Sequence, residues 1–263
     1  MIKILSAARF ILLITFVLII SHRCSKNYIT DDEINSVKKS AQSYKSENWE
    51  TRKEAISKIC SFNTPEAETL LIEALNDSHS LVKIEALKCV SIKKPANAKR
   101  LIKEIAEFET DSNIRMYAIR SLATYRDPTD APVFAKGLAN DDWLLREESI
   151  KGMLQINDLF IQKISVPYII QALKDTRINV RLAAIENLNF KDERIYKELA
   201  AIINNEDNYN KINLLNITLK SIHGYLLDQK TRARLIEFLA HPNREIRIIS
   251  LSVLKKDKEL QQY

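Results

Sequence analysis

A basic residue followed at fixed offsets by a small and then an aliphatic one returns along this chain at almost constant spacing, and a period of that kind constrains the fold more than any other feature. The anchors are Arg52, Lys83, Arg115, Arg146, Arg181, Asn213 as a weak member, and Arg247, at spacings of 31, 32, 31, 35, 32 and 34 residues. The residue before the anchor is Thr51, Val82, Ile114, Leu145, Val180, Ile212 or Ile246. Three after it stands Ala55, Ala86, Ala118, Ser149, Ala184, Asn216 or Ser250, and four after it Ile56, Leu87, Ile119, Ile150, Ile185, Ile217 or Leu251. Offsets of −1, +3, +4 and +7 lie on one face of a helix. The small residue at +3 marks a place where another backbone comes close.

A second apolar-periodic segment precedes each of these helices, as in Leu71, Ile72 and Leu75, or Phe134, Ala135 and Leu138, or Ile169, Ile170 and Leu173, or Leu235, Ile236 and Leu239. The repeating unit is therefore a helical hairpin. Pro65, Pro95, Pro128 and Pro167 are expected at or near the start of the first helix, where a missing N–H does no harm. Thr30 with Glu33 reads as a capping box that opens the first hairpin, with Ile34, Val37, Ala41 and Tyr44 on its apolar face. Leu188 is expected in the core of the fifth repeat.

Three glycines in 263 residues, each alone, leave no place for a phosphate-cradling loop. They also supply too few positive-φ turns for a sheet-rich domain. The four histidines are scattered and no CxxC pair exists, so no metal-site spacing can be written. No cofactor is expected. Cys60 and Cys89 fall on helices beside apolar neighbours and read as two small buried thiols, with a disulfide between adjacent repeats as the alternative.

The anchors and the acids ahead of them resemble HEAT repeats, in the short HEAT-like form in which a turn aspartate and an arginine on the second helix recur together. Asp77, Asp175 and Asp207 stand six before their anchors, Asp111 and Asp141 four and five before theirs. The resemblance covers about residues 30–255 and implies an all-α fold, an α-solenoid of about seven hairpins, with residues 256–263 as a C-terminal tail. Tetratricopeptide repeats have a similar period, but their Trp, Gly and Tyr signature is absent. Some HEAT-like proteins are enzymes. The deoxyhypusine hydroxylases bind iron through His-Glu pairs, and no histidine here precedes a glutamate; a DNA glycosylase-like or bilin lyase-like enzyme is the remaining alternative.

Residues 1–24 read as an export segment: Lys3 and Arg9, an apolar run from Phe10 to Ile20, then Ser21, His22, Arg23 and Cys24. The run suits a signal-peptide core of ~7 to 15 residues better than a transmembrane helix of ~20. It resembles a lipoprotein leader, in which Cys24 would carry the lipid, although Arg23 and Ser21 depart from the usual small and aliphatic residues. An uncleaved anchor from about Ile4 to Ile20 is the second reading, and ordinary secretion or a buried cytosolic helix are the remaining ones. The first two place the protein at a bacterial cell envelope, bound to a membrane through its N-terminus.

Stacked hairpins favour binding over catalysis, because the stack leaves an extended surface lined by second helices. Positions two after each anchor are expected to face outward, and they change from Glu54, Glu85, Tyr117 and Glu148 to Ala183, Leu215 and Ile249. Tyr117, Leu215 and Ile249 are thus the candidate contacts for a protein partner; the alternative is that Leu215 and Ile249 are packed inward by the tail or by a shift of register. The formal charge is +6, and outside the leader the excess lies in residues 151–263, with 18 basic against 13 acidic side chains. That is too diffuse for nucleic acid. The sequon Asn216-Ile217-Thr218 lies within a helix and is not expected to matter, and the oligomeric state is not legible.

Overall fold

The computed structural model describes residues 30–205 and 211–261. The leader, Cys24 and Asp207 lie outside them. Fourteen α-helices and three short 3-10 turns, with no strand, make up the described residues. In chain order they are α1 (Asp31–Tyr44), α2 (Trp49–Ile59), α3 (Pro65–Ala74), α4 (Ser80–Lys93), α5 (Lys99–Phe108), α6 (Ser112–Ala123) and α7 (Ala131–Leu138). Then follow α8 (Trp143–Gln155), α9 (Leu159–Leu173), α10 (Ile178–Glu186), α11 (Glu193–Asn204), α12 (Ile212–Ser221), α13 (Gln229–Glu237) and α14 (Arg244–Leu260). Taken in pairs they are the seven expected hairpins. None is long and apolar enough to cross a membrane.

The chain divides into two compact units, residues 1–70 and 71–263. In the first, α1 packs on α2, and the Thr30–Glu33 capping box forms as expected: Glu33 N–H donates to Thr30 Oγ1 (3.2 Å) and Thr30 N–H to Glu33 Oε2 (2.9 Å). In the second, the helices form two rows. The first helices α5, α7, α9, α11 and α13 each pack on the next of their row, and so do the second helices α4, α6, α8, α10, α12 and α14. Each hairpin from α5–α6 to α13–α14 also closes on itself. This arrangement is an α-solenoid.

The columns read from the sequence are its core. Val82, Ile114, Leu145, Val180 and Ile246 are buried, as are Leu87, Ile119, Ile150 and Ile185. The small +3 residues are buried too, and Ser149 shows why: it faces Gly137 on the first helix of its own hairpin, where any Cβ would collide with it. Gly152 repeats the device from the opposite helix, against the Phe134 ring. Two of the three glycines thus serve close approach of α7 and α8. Left-handed backbone falls instead on Lys94 and Arg126, besides Gly224.

The turns between helices are built by one recurring set of hydrogen bonds. The anchor arginine donates from Nη1 to the two carbonyls five and six residues before it: Arg52 to Ser46 (3.0 Å) and Glu47 (2.9 Å), Arg146 to Asn140 (2.9 Å) and Asp141 (2.8 Å), Arg247 to His241 (2.7 Å) and Pro242 (2.8 Å). The side chain six before the anchor accepts from the N–H two residues on, in Ser46, Asp77, Asn140, Asp175 and His241 alike. Four before the anchor stands the N-cap of the second helix, as in Asn48, Asp111 and Asp142. The acid and the base of one repeat therefore meet the backbone, not each other. Where they do pair, the partner belongs to the next repeat: Lys83 with Glu109 (2.7 Å) and Arg146 with Asp175 (2.7 Å).

Several expectations need correction. Pro167 lies inside α9, because apolar residues from Leu159 onward extend that helix ahead of it from an Asp158 cap. Leu188 is only half-buried, since α10 ends at Glu186. Residues 256–260 continue α14 instead of forming a tail, and Asp257 is buried, accepting from Leu227 N–H (2.9 Å) and pairing with Arg232 (2.7 Å). Cys60 and Cys89 are each disulfide-bonded, so neither is the free buried thiol that was the first expectation.

Leu145→Ala should cost about 2–5 kcal/mol, as other fully buried leucines do, and Leu188→Ala clearly less; paired urea denaturation curves would show the difference. The turn carboxylates give a pH signature. Lys83 holds Glu109 below the usual carboxylate range; at Asp175 and Asp257 burial pulls upward, but Arg146 and Arg232 outweigh it and both carboxyls end lowered. Carboxyls lowered in the folded state contribute stability that is complete above the unfolded value of about 4 and lost as pH falls through the folded values. The thermal midpoint should hold from pH 7 to 5 and drop below about pH 4, and a midpoint unchanged at pH 3 would contradict the assignment.

Candidate interaction surface

The second-helix row was the expected contact face, and neighbouring helices decide how much of it is open. Glu54 is exposed, Glu85, Tyr117 and Ile249 are half-buried, and Glu148, Ala183 and Leu215 are buried. The column two after the anchor thus faces the seam between adjacent second helices more than solvent. Tyr117 on α6 lies beneath two cations, with Lys88 Nζ 5.5 Å and Arg120 Cζ 5.3 Å from its ring centroid. Arg120 then spans to α8, donating from Nε (2.9 Å) and Nη2 (2.8 Å) to the two oxygens of Glu148. Lys151 Nζ reaches the same carboxylate at 3.1 Å.

Glu148 was read as part of a solvated face. Burial raises its carboxyl, but the bonds from Arg120 and Lys151 outweigh that and hold it lowered and charged. Three successive second helices are therefore tied by one network of Lys88, Tyr117, Arg120, Glu148 and Lys151. Its members satisfy one another, which suits a rigid face and not proton transfer.

Leu215 is a correction. It is 1% exposed, whereas Ile212, expected inside, is 42% exposed. The buried set on α12 is Leu214, Thr218, Leu219 and Ile222, the −1, +3, +4 and +7 pattern displaced by two residues. Asn213 and Asn216 had pointed to a weak repeat; an anchor at Leu215 fits the burial, so Leu215 is core. Asn216 and Thr218 of the sequon are buried as well, with Thr218 Oγ1 donating to Leu214 O (2.6 Å). Ile249 packs against the core cluster.

The most apolar open surface lies on the other row. Leu159 and Phe160, in the first turn of α9, are 78% and 69% exposed, and Ile164 follows them. Beside them runs a groove of about 530 Å³ between α7 and α9, lined by Ala131, Pro132, Ala135, Met153, Phe160, Ile161, Ile164 and Tyr168 among others. The sequence carried a signal for it: Leu159–Ile170 is apolar around its whole circumference, more than one packed face consumes. Among the described residues no cluster of His, Cys, Asp and Glu could hold a metal ion.

A family described as HEAT repeats matches residues 37–107. No curated protein matches. Among solved structures, the Escherichia coli protein YibA is similar over 84% of this chain and 82% of its own, at 18% identity and a TM-score of 0.64. A designed armadillo repeat protein (15% identity, 83% and 98% covered, TM-score 0.44) and human deoxyhypusine hydroxylase (14%, 86% and 96%, 0.43) are also similar. The match over residues 37–107 and the likeness to YibA agree with the HEAT-like repeat fold of the described helices.

Tyr117→Ala should lower stability by about 1–2 kcal/mol, the order of two cation–π contacts. Ile249→Ser, which removes a side chain packed on the core, should lower the denaturation midpoint measurably more.

Proposed function

We propose that this protein is a non-enzymatic HEAT-like scaffold that binds a protein partner at the bacterial cell envelope, held there by its N-terminal segment. The observation that carries the binding reading is the apolar groove between α7 and α9 with Leu159 and Phe160 standing at its edge. Two adjacent large apolar side chains on the first turn of a helix gain nothing from solvent, and a contact that buries them would contribute to affinity in proportion to the area removed from water.

The envelope reading rests on Lys3, Arg9, the apolar run and Cys24. Crosslinking in the native membrane, followed by identification of the captured protein, tests the whole. Phe160→Ser should abolish the crosslink while changing folding stability by no more than about 0.5 kcal/mol. A tightly bound metal, chromophore or nucleic acid in the purified protein would favour the enzyme reading instead. Cys24→Ala should remove labelling by a fatty-acid probe, and a parent protein that never takes the label yet stays in the membrane would select an uncleaved anchor.

A further inference from the structure

Each hairpin of the second unit offers bases to the hairpin after it and acids to the one before. Lys83 pairs with Glu109 (2.7 Å), Lys103 with Asp130 (2.6 Å), Arg120 with Glu148 (2.8 Å), Arg146 with Asp175 (2.7 Å), Lys174 with Glu198 (2.8 Å) and Lys220 with Glu245 (3.1 Å). Every step from α4 to α14 carries at least one such pair in this sense. The opposite sense is seen between Lys136 and Glu107, at 3.9 Å. The apolar columns are directional too. Ile119, four after its anchor, lies against Gly137 of the next hairpin. Its equivalents Leu87, Ile150 and Ile185 are buried, and so are Leu75, Leu138 and Leu173, which stand eight before their anchors as Leu239 does.

On α13–α14, the last described hairpin, both columns are open. Leu251 is 45% and Leu239 39% exposed, and Ile236 and Ile248 beside them are more exposed still. The charge pattern continues. Arg247 makes the two carbonyl bonds of its turn as Arg52, Arg146 and Arg181 do, but among the described residues no carboxylate stands against it as Asp175 stands against Arg146. Lys255 and Lys258, farther along α14, are exposed.

We infer that this end of the array is a docking face for a helical partner protein that presents an apolar ridge flanked by carboxylates. The partner takes the place of a further hairpin: its ridge covers Ile236, Leu239, Ile248 and Leu251, and a carboxylate meets Arg247. The argument is continuity with the interface that each preceding hairpin makes, together with the charge that such an interface leaves unmatched. A second copy docking by the same end would bring basic rim onto basic rim. This surface is distinct from the α7–α9 groove, so its test stands or falls separately.

The probes are two synthetic amphipathic helices with leucines at i, i+3, i+4 and i+7, one flanked by glutamates and the other by lysines, titrated against the full chain. The glutamate-flanked helix should bind at least tenfold tighter. Ile236→Ser with Leu251→Ser should weaken it about tenfold at an unchanged thermal midpoint. Lys255→Glu with Lys258→Glu, outside the core, should narrow or reverse the preference between the two helices, which a purely structural role for these lysines would not do. Equal binding of the two helices, no binding of either, or indifference to these variants would overturn the proposal. So would self-association of the full chain that the Ile236→Ser, Leu251→Ser variant abolishes, which would assign the face to a second copy. Preferential binding to phosphatidylglycerol vesicles, lost in the same variant, would assign it to a lipid surface.

Discussion

The chain turns sharply ahead of each second helix, and the carbonyls exposed there need donors. Arginine supplies them. Its planar fork spends one nitrogen on two successive carbonyls and keeps the others for a carboxylate of the following hairpin, as Arg146 does with Asp175. A single side chain thus fixes the geometry within one repeat and the distance to the next. The N-cap and the acceptor six before the anchor complete the turn, and because that acceptor needs only a lone pair, Ser46, Asn140 and His241 replace aspartate without altering it.

That economy accounts for the charges at the turns and seams: they are held by neighbours of opposite charge or by backbone, and the lowered carboxyls of Glu109, Glu148, Asp175 and Asp257 follow from those bonds. The proposed binding function rests on surface that the stacking does not consume. Apolar area is the scarce commodity in such an array, since the repeat places it at fixed positions and a neighbour normally covers it. The first turn of α9 and the outward side of α13–α14 are two of the places where it is not covered.

Reading function from a repeat column has a characteristic failure, and α12 illustrates it. The alignment kept the anchor at Asn213 because the average spacing asked for one there, but two leucines at 214 and 215 offered a better apolar face two residues on. A helix rotates by about 200° over two residues at 3.6 per turn, enough to turn Leu215 from an expected contact into core. In the repeats anchored by Lys83, Arg115, Arg146 and Arg181 the −1, +3 and +4 columns are buried as expected, although Glu148 and Ala183, expected outward, are buried with them.

The sequence by itself determined the hairpin, its period, its buried columns and the cap at Thr30, because these depend on helical periodicity and on bonds within a few residues of the chain. It also showed, through the all-round apolarity of α9, that something would remain uncovered. Which side chains are uncovered was decided only by tertiary structure: the half-buried setting of Tyr117 under Lys88 and Arg120, the burial of Glu148, the inward turn of Leu215 and the open columns at Leu239 and Leu251. Exposure is a property of neighbours about thirty residues away, set by how long each helix runs and where its register falls, and a local pattern carries no information about either.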